Sequence, residues 1–256
     1  MNSSRRIFDL YLEANLHVAL AVLALTQITE RSLGISRQAE LHLFIFFATV
    51  LAYNILKYWP VIGSDFNWFK RNPIISCAML VGCAGSAIFF LRLQMQIQQF
   101  FLVIGLLVIA YPFLRKFGLA KMFLVSFCVS MITVFVPIMA AKIRSVDCYI
   151  SLIQRFLIVI SWLIPFEIAD SITDHPSMRT LPQQFGISSA KIFGILLTVP
   201  FAVLEFFKAT PTYITLVIAM VTVLFILFSN IHRNKYYTSF WVESIPIFWW
   251  MLLWFF

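Results

Sequence analysis

Nine apolar runs, each close to the length of a bilayer-crossing helix, dominate this 256-residue chain. They centre on residues 10–29, 41–60, 74–92, 97–114, 119–141, 150–169, 189–207, 212–231 and 240–256. A hydrocarbon core of about 30 Å is crossed by about 20 predominantly apolar residues in a helix. A transmembrane barrel would instead need alternating segments of about ten residues, and these runs are apolar all round. The expected fold class is all-α: a polytopic membrane protein of about nine transmembrane helices. Hydrophobic residues make up 61% of the chain, charged residues 12%, and the mean hydropathy is +0.91. No stretch is left for a soluble module, so residues 1–256 read as one integral membrane domain. The first run carries Glu13, Asn15 and His17 and lacks a small-residue cleavage site, so it reads as a span and not as a cleavable signal.

Basic residues set an expected orientation. With the N-terminus cytosolic, seven of the nineteen Lys and Arg (Arg31, Arg37, Arg92, Lys142, Arg144, Arg155 and Lys208) fall on the far side and twelve on the cytosolic side. The positive-inside rule then puts the C-terminus on the opposite side. A bacterial inner membrane is the expected location. The net charge of +8 reflects this distribution, and no nucleic-acid partner is expected. Cys77, Cys83, Cys128 and Cys148 form neither a CxxC pair nor a Cys/His cluster, which argues against a disulfide framework or a zinc site. Trp249, Trp250 and Trp254 read as an aromatic belt at a membrane face.

Connections are short, and the longest run without apolar character is 170–188. There the chain concentrates acid: Glu167, Asp170 and Asp174 stand at i, i+3 and i+7, on one face of a helix. An Asp at the centre of a membrane helix costs about 2.5–3.5 kcal/mol on insertion scales, so the three belong at a helix end or in a wet cavity. Close carboxylates repel. Either Mg²⁺, which takes one or two carboxylates and keeps positions for water or phosphate, or nearby basic side chains could relieve that repulsion. The same face should gather Asn54 and Lys57 after the second run, Tyr111, Arg115 and Lys116 after the fourth, and Arg179 beyond the acids. Arg and Lys beside a metal–phosphate centre are what a departing diphosphate needs. Glu13 and His17, an i, i+4 pair, read as stabilising a helix end.

These segments resemble the UbiA-type intramembrane prenyltransferase superfamily. "EIADSITD", followed by "RTLPQQFG", is similar to that family's second acidic motif, D-x-x-D-x-x-x-D with a Thr-Leu-Pro-like segment and a Gly after it, with Glu167 in place of the first Asp. "YPFLRK" fits the family's tyrosine and basic pair after span four. The resemblance implies a nine-span bundle with a cytosolic active site, and Mg²⁺ on Glu167, Asp170 and Asp174, which would also be the catalytic residues. It also implies a prenyl diphosphate handled by Asn54, Lys57, Tyr111, Arg115, Lys116 and Arg179, with transfer of the prenyl group to an acceptor in or at the bilayer. The first family motif, N-D-x-x-D, is here "NILKY": Asn54 remains, Ile55 and Tyr58 replace both carboxylates, and Lys57 adds a positive charge. That departure opens the alternative of a non-catalytic isoprenoid- or lipid-binding descendant. A transporter would be expected to show midplane charges on broken helices and repeat symmetry, and the sequence has neither.

Overall fold

The computed structural model describes residues 3–62, 65, 67–114, 118–173 and 178–255. Every apolar run folds as helix, and no strand occurs among the described residues. The order is α1 (Ser3–Glu13), α2 (Leu16–Ser32), α3 (Ala39–Ile62), the single-turn α4 (Trp68–Arg71), α5 (Pro73–Phe90) and α6 (Met95–Leu114). The fifth run is continuous but mixed: α7 (Gly118–Ser130), a π-helical turn (Met131–Phe135) and α8 (Val136–Ala141). After it come α9 (Val146–Asp170), α10 (Leu181–Glu205), α11 (Tyr213–Phe228), a second π segment (Tyr237–Val242) and α12 (Ile245–Phe255).

Six of these are long and apolar enough to cross a membrane, and the bent pair α1–α2 makes a seventh when counted as one span. The chain is thus a polytopic helical protein, but not one with nine span-length helices among its described residues. The eighth run loses length because Ser229 and Asn230 end α11 after 16 residues, about 24 Å at 1.5 Å per residue. The ninth is split at Glu243 and Ser244, which form a turn between the π segment and α12.

Short connections make successive helices antiparallel. One face of the bundle therefore collects the starts of α2, α7 and α10 with the ends of α3, α6, α9 and α11. The most enclosed helix is α9: 61% of its span is buried, against 11% for α5 and for α6, which lie at the lipid-facing edge. Around α9 pack Leu25 and Ile28 of α2, Phe201 of α10, Ile218 of α11 and Trp249 of α12. A second cluster joins α2, α3, α6 and α8 through Val22, Phe44, Ile45, Ile97 and Val136. Large side chains such as Leu80, Leu106 and Ile109 point outward, which suits lipid and would be an aggregation hazard in water.

Lipid supplies little drive for helices to associate, so close packing and polar contacts supply it. At the α3–α5 crossing a Cβ on Gly85 would strike the Phe47 ring, so only glycine permits that approach. Trp162 Nε1 donates to Thr222 Oγ1 at 2.9 Å, and Gln154 Nε2 donates to Phe201 O at 2.9 Å and Glu205 Oε2 at 3.0 Å. Buried Arg155 donates to Leu25 O and Thr29 Oγ1 and stands over the Trp249 ring, tying α9 to α2 and α12.

The first span bends by 60° between α1 and α2. Asn15 takes the left-handed conformation there, with φ 56°, a region Asn enters more readily than most residues. The break frees carbonyls that nothing in a membrane can solvate, and α3 answers them. Asn54 Nδ2 donates to Ala14 O at 2.8 Å and to Val50 O at 2.7 Å, while Asn54 Oδ1 accepts from Asn15 Nδ2 at 3.0 Å. Tyr58 OH donates to Glu13 O at 2.9 Å, and Lys57 Nζ approaches the same oxygen at 3.4 Å. Asn54→Leu should therefore lower the detergent melting temperature, at about 1–3 kcal/mol for each buried group left unpaired. Unchanged melting would show that the break does not depend on Asn54.

Candidate functional site

The acidic segment is helical as far as Asp170, and its residues part ways there. Glu167 is 2% exposed, and its Oε1 lies 2.7 Å from Lys121 Nζ of α7, also buried. Asp170, one turn on, is exposed. Asp174 lies outside the described residues, as do Arg115 and Lys116. Tyr111 is half-buried in the last turn of α6, and Arg179 is exposed with φ 49°.

The loops after α6 and α9 do meet, through backbone. A Cβ on Gly118, the first residue of α7, would overlap the carbonyl oxygens of Met178 and Arg179. Beyond Arg179, "TLPQQFG" serves local geometry. Thr180 caps α10, its N–H donating to Gln183 Oε1 at 3.1 Å, and Pro182 sits in the first turn. Gln184 Nε2 donates to Arg179 O, Gln183 Nε2 donates to Ser171 O at 3.3 Å, and Gly186 breaks the helix at φ 84°.

Magnesium needs carboxylate oxygens free to coordinate it. On Glu167 the Lys121 ammonium approaches Oε1 at ion-pair distance. At the end of α3, Asn54 is fully buried and engaged by the helix break. No group of three or more His, Cys, Asp or Glu is placed to hold a metal among the described residues. Asp174, the third expected ligand, lies outside those residues.

A different polar cluster stands on this face, built by α1, α2, α3 and the turn before α12. His17, 3% exposed, is held at both ring nitrogens. Its Nδ1 meets Tyr11 OH at 2.8 Å, and its Nε2 meets Ser244 Oγ at 3.0 Å and Phe240 O at 3.1 Å. Phe240 O can only accept, so this pattern assigns the ring proton to Nε2 and a hydrogen bond from Tyr11 to Nδ1. Asp9 accepts from Tyr236 OH at 2.5 Å and pairs with Lys235 at 3.3 Å, which docks α1 onto the last segment.

Beside His17 lies Glu243, whose carboxylate makes no hydrogen bond or ion pair among the described residues. Lys57, Tyr53 and Tyr11 lie within its electrostatic reach, and Tyr53 is likewise in reach of Tyr111. Lys57 is exposed, and Tyr53 and Glu243 are half-buried. The structure thus groups Lys57 and Tyr111, two of the expected site residues, with Tyr53 and Glu243, which composition and spacing did not single out. A lone carboxylate inside an apolar run was the available signal for Glu243. The Lys121–Glu167 pairing had none, because it joins residues 46 positions apart.

Comparison with family models, with curated proteins and with solved structures finds no match to this chain.

The Lys121–Glu167 pair yields a double-variant prediction. Glu167→Gln should destabilise by about 3–5 kcal/mol because it takes the carboxylate out of a buried ion pair, whereas Lys121→Met/Glu167→Met should recover most of that loss. Melting in detergent reads both, and equal loss in single and double variants would contradict the pairing.

Proposed function

We propose that this integral membrane protein binds an isoprenoid or similar lipid by its anionic head without transferring it. Lys57 supplies charge in the group it forms with Tyr53, Tyr111 and Glu243, and the apolar helix walls take the tail. The observation that carries this reading is the engagement of the motif positions within the protein itself. Asn54 is bound to the helix break and Glu167 to Lys121, where the family resemblance would have them serve diphosphate and magnesium. In the same reading the N-terminus is cytosolic and the C-terminus lies on the opposite side, as the charge distribution favours, and the protein resides in a bacterial inner membrane.

Magnesium-dependent prenyl transfer to an acceptor is the second reading, and the exposure of Asp170 at the end of α9 is the observation on its side. Arg179 follows that end on the same face and would clamp phosphate in either case.

Labelled geranylgeranyl diphosphate separates the two. Under the binding reading, the detergent-purified protein retains the label in the presence of EDTA and releases no diphosphate when Mg²⁺ and candidate acceptors are added. Lys57→Gln then weakens retention about tenfold, the size of one charge-assisted hydrogen bond. Diphosphate release that needs Mg²⁺ and disappears in Asp170→Asn would establish transfer instead. Absence of retention with or without Mg²⁺ would sink both.

A further inference from the structure

At the end of the bundle away from this site, the start of α6, the end of α8 and the first turns of α9 surround a groove of about 570 Å³. Its walls are mainly apolar and include the half-buried Phe135, Ile138 and Leu152, while Lys142 and Arg144 line it as exposed cations. The chain turns sharply there. Lys142 adopts φ 56° at the end of α8, and its N–H and that of Ile143 close on Met139 O and Ile138 O. Both rim cations are exposed, and neither makes an ion pair among the described residues. The neighbouring carboxylate, Asp147, accepts instead from the backbone N–H of Ala209. The rim is therefore positive and uncompensated.

We propose that this groove binds a glycerophospholipid with a net-negative headgroup. Arg144 and Lys142 hold the phosphate, and one acyl chain lies along Phe135, Ile138 and Leu152. A guanidinium can grip two phosphate oxygens at once, and an ammonium adds a compact second charge. The apolar wall below the cations selects a lipid over a free phosphate ion, since a soluble anion leaves that wall uncovered. Tyr149, which lines the groove, is 65% exposed, and an aromatic side chain at a basic rim is the composition of a membrane interface. This site is separate from the proposed isoprenoid site, and its occupant is a resident of the bilayer.

Native mass spectrometry of the full chain in mild detergent tests the assignment with phosphatidylglycerol and phosphatidylcholine of identical acyl chains. Phosphatidylglycerol should be retained several-fold over phosphatidylcholine. The Lys142→Gln/Arg144→Gln variant should lose about thirtyfold in phosphatidylglycerol retention and with it the preference, consistent with about 1 kcal/mol for each basic residue near an anionic surface. Leu152→Trp keeps both charges but fills the groove, and should weaken both lipids. Lys57→Gln, at the other end of the bundle, should leave the preference intact. Equal retention of the two lipids by the wild type, or a preference that survives in the double variant, overturns the proposal. Displacement of the lipid by millimolar inorganic phosphate would reduce the site to a simple anion contact and overturn it equally.

Discussion

Where a helix breaks, its end carbonyls need new partners, and in this chain three side chains of α3 supply them. The left-handed residue Asn15 bends the first span and frees Glu13 O and Ala14 O, and α3 presents Asn54, Lys57 and Tyr58 at i, i+3 and i+4 to receive them. The bend directs α1 across to the last segment, where Asp9 meets Tyr236 and Lys235. It also puts His17 against Phe240 and Ser244. Lys57, Tyr53 and Glu243 come within electrostatic reach of one another because these elements converge.

The same economy governs the interior charges. Glu30 is matched to His42, Glu167 to Lys121, and Glu205 to Lys208 and Gln154. Arg155 has carbonyl and hydroxyl partners and an aromatic face in place of a carboxylate. Against that pattern Glu243 stands out, since its carboxylate lacks a bonded partner among the described residues. A membrane protein retains an enclosed acid of this kind at a functional position more readily than at a structural one.

Apolar run length is a local property of the chain, and it located the span-length helices, though not the single-turn α4. Where the local pattern was weaker, so was the expectation. The run at 212–231 includes Ser229 and Asn230, which close the helix early, and the run at 240–256 contains Glu243 and Ser244, which split it. The site was less legible. A motif read along one helix shows which residues share a face, yet not what faces them. "NILKY" could be recognised as lacking carboxylates, but its role depends on a bend forty residues earlier in the chain. Glu167 could be placed on an acidic face, but Lys121 is brought to it only by the packing of α7 against α9.

Gly118 has a mechanical consequence. The absent side chain lets the first turn of α7 rest directly on the carbonyls of Met178 and Arg179, and Lys121 lies one helical turn further along that same rigid rod. Any side chain at position 118 would have to lift this end of α7 off the loop, and the shift would reach the ammonium that pairs with Glu167 on the central helix of the bundle.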